Sequence, residues 1–173
     1  MSAGNETYDQ LPATFDPVQL AERGACLAGR LPLTGLPRLL KACVDNAGDV
    51  EVDLVFERGD NPNLAIVHGT VAAEVRVTCQ RCLEPMRIRI VGEPRLVYLR
   101  PSEGSVPLGE DDDTIALERP VPLSEFVEDE LLLAMPMIPM HELQDCPARV
   151  YTTAGQHKPN PFAALQGRKP TKD

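Results

Sequence analysis

DVEVDLVFER, residues Asp49–Arg58, places Val50, Val52, Leu54 and Phe56 at every second position and sets Glu51 and Asp53 on the alternate positions. A strand shows successive side chains to opposite faces, so this alternation predicts a strand with one face in a core and one in water. The pattern continues in LAIVHGTVAAEVRVT (Leu64–Thr78) and MRIRIVGEPRLVYL (Met86–Leu99), and GDNPN (Gly59–Asn63) supplies a turn after the first stretch. Three such stretches in succession predict an antiparallel meander, half of it solvated.

Helical signals flank the meander. In DPVQLAER, Asp16 is placed to cap a helix with Pro17 at its first position, where a missing N–H costs nothing. ACLAGRLPL reads as a strand, and TGLPRLLKACV carries Leu36, Leu39, Leu40 and Cys43 at helical spacing. After a short strand around TIALE, Ser124 offers an N-cap to EFVEDELLLAM. There Phe126, Val127, Leu131 and Ala134 form the apolar stripe, and Glu125, Glu128 and Asp129 form the solvated face. Pro136 and Pro139 end that helix and leave an extended exit. The fold class expected is α+β: an antiparallel meander packed with two or three short helices.

A chain of 173 residues, 43% hydrophobic, supports one core. The domain should run from 15 to 146, after a flexible N-terminus over 1–14. PSEGSVPLGEDDD, residues 101–113, predicts a mobile acidic loop over 101–112, and 147–173 a flexible basic tail containing KPNPFAAL. In that tail Phe162 and Leu165 form an apolar island suited to docking on a partner or on the chain's own domain. No apolar run reaches the roughly 18 residues of a membrane span, and the N-terminus lacks the features of an export signal. Five cysteines do not resemble a disulfide framework. The expectation is a cytoplasmic protein without membrane contact; nothing in the sequence fixes its oligomeric state.

The net charge of −9 conceals a segregation. Between Arg76 and Arg100 six arginines face two acids, whereas residues 101–146 hold twelve acids and one arginine. Arg76, Arg87 and Arg89 fall on one face of the predicted hairpin, with Arg81 in its turn, and make candidate phosphate contacts. The scarcity of aromatics disfavours stacking on single-stranded bases. Glu125, Glu128 and Asp129 instead suit a basic protein partner.

Within VTCQRCLEPMRIRI (Val77–Ile90) lies the pair Cys79 and Cys82. A redox pair normally opens a helix, which lowers the pKa of its first thiol; here strands flank it. Two readings stay open. A tight turn between strands can aim two thiolates at one zinc ion, with His141 and Cys146 completing a Cys3His set. Otherwise Cys79 and Cys82 are small core hydrophobes, Cys146 is free and His141 is solvated. Cys43 reads as core, and His68 as a surface or half-buried side chain. Catalytic signatures are missing: there is no phosphate-binding glycine loop, no H-E-x-x-H and no G-x-S-x-G, and Asp111–Asp113 stand without a partner motif. The expectation is a binding protein, not an enzyme.

VTCQRCLEP, VEDELLLAMPMIPMH followed by Cys146, KPNPFAAL, and the opening LPATFDPVQLAERGACLAGRLPLTGLPRLL together resemble the bacterial YceD family of large ribosomal RNA subunit accumulation proteins. The resemblance covers nearly the whole chain. It implies a non-enzymatic cytoplasmic factor supporting accumulation or processing of the large-subunit (23S) ribosomal RNA and assembly of the large subunit, with no catalytic residues to carry over. Its partners would be the ribosomal RNA precursor, ribosomal proteins, or both. The alternative role is an acidic partner or chaperone of a basic large-subunit ribosomal protein.

Overall fold

The computed structural model describes residues 7–8, 11–101 and 114–149. In chain order the elements are β1 (Thr7–Tyr8), β2 (Thr14–Phe15), α1 (Pro17–Arg23), β3 (Cys26–Pro32), a 3-10 turn (Leu33–Gly35), α2 (Pro37–Leu40), β4 (Asp49–Arg58), β5 (Leu64–Thr78), β6 (Pro85–Gly92), β7 (Arg95–Leu99), β8 (Thr114–Ala116), β9 (Val121–Pro122) and α3 (Leu123–Ala134). The expected α+β class holds.

β5 is the spine. β4 pairs along one edge from Val50↔Ala73 to Arg58↔Ala65; β6 and β7 share the other, β7 on Leu64–His68 and β6 on Val71–Thr78. Both keep one register, so Glu93 and Pro94 interrupt what is otherwise a single antiparallel partner strand. Proline has no N–H to give the ladder, which accounts for the break. β3 pairs antiparallel outside β4, and β1 and β8 add short parallel strands at the two edges.

The alternation read from the sequence sorts the faces. Val50, Val52, Leu54 and Phe56 of β4, and Val67, Val71, Val75 and Val77 of β5, are buried beneath α1 and α3. Phe15 joins the layers, meeting Phe56 and Phe126 edge-on with ring centroids 5.4 and 5.6 Å apart. The opposite sheet face, with Arg30, Glu51, Asp53, Glu74, Arg76, Arg87 and Arg89, has no helix over it among the described residues.

Asp16 caps α1 as expected, accepting the Val18 and Gln19 N–H groups at 3.1 Å, and Gly24 ends the helix with φ +60°. α3 corrects one expectation. Ser124 lies inside the helix and caps nothing; Pro122 is the N-cap. The chain enters α3 straight from β9, and the Leu123 N–H donates to the Ala13 carbonyl at 3.0 Å, so a neighbouring strand does the work expected of Ser124. At the N-terminal end, residues 7–8 pair with β3, β2 pairs with β9, and Leu11 packs against the core. The acidic loop from residue 102 onward and the tail motif with Phe162 and Leu165 lie outside the described residues.

Candidate metal centre and charged sheet face

β5 gives way to β6 through a knuckle built on Cys79. Its N–H donates to the Glu84 carbonyl and its carbonyl accepts from Leu83 N–H, both at 2.9 Å, while Leu83 takes a left-handed φ of +63°. This turn points the Cys79 and Cys82 thiols the same way. The second half of the site arrives from α3, whose extended exit is held by the Gln80 N–H donating to the Pro139 carbonyl at 2.8 Å. His141 then reaches the knuckle: its N–H donates to Cys79 Sγ at 3.4 Å, and its Nδ1 lies 3.3 Å from Cys82 Sγ. Cys146 closes the group.

The ligand atoms of Cys79, Cys82, His141 and Cys146 all lie within 4.8 Å of one another. Sulfurs ~2.3 Å from a tetrahedral ion stand about 3.8 Å apart, so small side-chain adjustments bring this set onto a common metal. Cys79 and Cys146 are buried, and Cys82 and His141 half-buried. Burial alone would raise the Cys79 thiol, but N–H groups of Cys82, His141 and Arg81 and the Cys82 thiol outweigh it and hold it at about 5. Burial pushes the Cys82 thiol up, and its sulfur neighbours Cys79 and Cys146 add to that, against the Glu84 N–H. A divalent cation would favour the thiolate form that metal ligation requires. These four residues can hold a metal ion.

The structure gathers Arg76, Arg87 and Arg89 on the open sheet face, with Arg76 directly opposite Arg87. Each has an acid beside it: Asp45 2.8 Å from Arg76, Glu74 3.5 Å from Arg87 and Glu51 3.7 Å from Arg89. Like charges opposite one another oppose pairing, and these acids relieve it. The face is a mosaic rather than a purely basic strip. Arg81 stands apart from it. Its Nη2 meets Met140 Sδ at 3.6 Å and its Nη1 is buried without a partner, so its full fork is not free for a phosphate.

The acidic helix face also divides. Glu125 and Asp129 are exposed, but Glu128 is buried at 3% exposure. Its carboxylate accepts the N–H groups of Arg38 (2.5 Å) and Leu39 (3.0 Å) and the Arg38 Nε at 2.7 Å. Glu128 is therefore a tie between α3 and the start of α2 and not a surface acid. No local spacing marks this pairing, because Arg38 lies 90 residues away along the chain. The acids among the arginines were half visible: Glu74 falls opposite Arg89 once the hairpin register is known, whereas Asp45 comes from a loop. His68 sits half-exposed with its Nε2 3.3 Å from Glu57, clear of the metal centre.

The sequence profile of a family described as Large ribosomal RNA subunit accumulation protein YceD matches residues 67–167, more than half of the chain. The chain belongs to the YceD family. A curated relative, the Large ribosomal RNA subunit accumulation protein YceD of Haemophilus influenzae (strain KW20 / Rd), is 31% identical over 175 residues, spanning 92% of this chain and 97% of its own. No solved structure matches. In this YceD-family chain the profile takes in all four candidate metal ligands, β6 and β7, α3 and the KPNPFAAL motif. No helix among the described residues is long and apolar enough to cross a membrane.

Proposed function

We propose that this YceD-family chain supports accumulation of large-subunit ribosomal RNA as a cytoplasmic binding factor in large-subunit assembly, and not as a catalyst. The observation that carries the reading is the nearly full-length match to a relative whose name states accumulation of the large ribosomal RNA subunit. The charged face suits binding, since arginines within reach of acids can exchange those partners for phosphates. The metal is zinc in a structural part. Three sulfurs and one imidazole form a closed four-ligand set with no position left for a substrate, the pattern of structural sites, and sulfur-rich sets favour zinc.

The test is genetic and chemical. Deleting the gene should lower 23S relative to 16S ribosomal RNA, and the intact chain should restore the ratio; an unchanged ratio on deletion would sink the reading. Protein purified without chelator should carry about one zinc per chain, and less than ~0.2 equivalents would remove the zinc site. Specific cleavage of precursor ribosomal RNA by purified protein and magnesium would overturn the non-catalytic part.

A second reading has its own support. The arginines of the sheet face are already paired, while residues 114–146 carry seven acids against one arginine. Such a surface suits a basic large-subunit ribosomal protein. Crosslinking in cells, followed by sequencing of RNA and mass spectrometry of proteins, separates the two.

A further inference from the structure

Around the metal centre the chain exposes apolar side chains that its core does not use. Leu133 ends the outward stripe of α3 that begins with Glu125 and Asp129, and it is 81% exposed. Beyond the helix Met137 is 97% exposed, followed by Ile138, Met140 and Leu143, and across the knuckle stands Leu83 in its left-handed turn. Five of these six exposed apolar residues fall within residues 133–143 and the sixth on the knuckle that this stretch contacts, unlike scattered surface leucines, which need no explanation.

This corner is built to be held still. Pro136 and Pro139 keep the exit from α3 extended, and the Gln80–Pro139 and His141–Cys79 hydrogen bonds tie it to the knuckle at 2.8 and 3.4 Å. The four metal ligands bracket it from both sides, Cys79 and Cys82 next to Leu83, His141 and Cys146 around Leu143. A metal held by those four residues would fix this ledge in place.

We infer that this ledge docks a basic protein segment carrying apolar residues among lysines and arginines. Charge chooses the occupant. Glu84, Asp129, Glu142 and Asp145 are exposed around the ledge. Among the described cations, Arg38 is paired to Asp129 at 2.7 Å, Arg81 turns inward onto Met140, and Arg149 donates to the Gln144 carbonyl at 2.8 Å, which leaves Glu84, Glu142 and Asp145 to set the charge of the rim. Such a rim repels phosphate, and the ledge lacks the aromatic side chains on which bases stack, so RNA is the wrong chemistry for it. Methionines supply an adaptable apolar surface, able to fit more than one such segment. The inference rests on the reading that this chain acts by binding a large-subunit component, and it names the class of component and the surface.

The test uses the full chain and a double variant, Met137→Asp with Ile138→Asp. Both side chains are exposed, so melting temperature and metal content should match the parent. The probes are overlapping peptides tiling the host's large-subunit ribosomal proteins. Basic, apolar-bearing peptides should bind the parent, roughly tenfold more weakly the double variant, and more weakly Glu142→Lys at low salt. Leu133→Asp, on a regular helix, should reproduce the loss and serves if the double variant folds poorly. In a gene-deletion strain the double variant should fail to restore 23S ribosomal RNA.

Other results overturn the inference. One is that no such peptide binds the parent, or that the double variant binds as the parent does. Others are that the variants abolish a concentration-dependent dimer, change hydrogen exchange within residues 150–173, or weaken binding to purified 23S ribosomal RNA. Those place a second copy, the chain's own end or RNA on the ledge. If the double variant restores ribosomal RNA as well as the parent, the ledge is wrong and the broader function stands; if the parent itself restores nothing, the broader function falls while the peptide result still judges the ledge.

Discussion

Glu128 shows what a buried carboxylate requires. Burial alone would raise its pKa, but the Leu39 and Arg38 N–H groups and the Arg38 guanidinium overcome that and hold it below its usual value of 4.5. A depressed folded pKa contributes stability that is complete above the unfolded value and is lost as pH falls through the folded one. Glu128→Gln should therefore cost about 2 kcal/mol at neutral pH. The gap between parent and variant in urea titrations should narrow as pH falls below 4.5. A gap constant with pH would refute the assignment. At the knuckle, Cys79→Ser or Cys82→Ser should release metal and lower the melting temperature together, because structural metal affinity is folding free energy. Cys26→Ser should do neither, and equal small effects from all three would favour simple core thiols. The cysteines were legible as a pair because a motif lies within a few residues. Glu128 was not, since its neighbours Val127 and Leu131 mark the buried stripe only if a charged residue is allowed inside it.

In the sheet, alternation made the strands legible almost to their ends, because each inward side chain answers to one core. Caps and breaks were less so, since they depend on what the folded chain brings alongside: Ser124 lost its expected part to the Ala13 carbonyl. Gly69 is the clearest hidden constraint. It lies in β5 opposite the break at Pro94, with φ +149°, and an added Cβ would stand 2.1 Å from the Asp53 carbonyl oxygen. Nothing in the alternating pattern marks it, since it merely occupies an inward position. Gly69→Ala should cost at least about 3 kcal/mol through combined backbone strain and collision, measurable as a drop in the urea midpoint. A loss below about 1 kcal/mol would show that β4 moves aside easily.

Charge segregation along the chain survived folding only in part. The arginines do collect on one sheet face, but the same face collects acids from β4, β5 and the loop before β4. Composition along a sequence cannot show this, because register and loops decide which charges meet. Replacing Arg76, Arg87 and Arg89 by Gln should change stability by less than about 1 kcal/mol, exposed pairs being weak. If these arginines grip ribosomal RNA, the triple variant should bind ribosomal precursors more weakly, with the slope against salt falling by roughly one for each lost phosphate contact. Parent-like binding over a salt series would leave the acidic side as the leading contact surface.

The two halves of the metal centre also set a timetable. Between Cys82 and His141 lie 58 residues, among them β6, β7, β8, β9 and α3. During synthesis the knuckle emerges early, yet its partners follow only after α3 has been made, so a metal held by all four residues would be bound as the closing act of folding. Long loops are slow to close until the elements inside them are in place. Refolding from denaturant should then show a sheet-forming phase indifferent to zinc, followed by a later one that zinc completes. Adding a chelator partway through should abolish only the second.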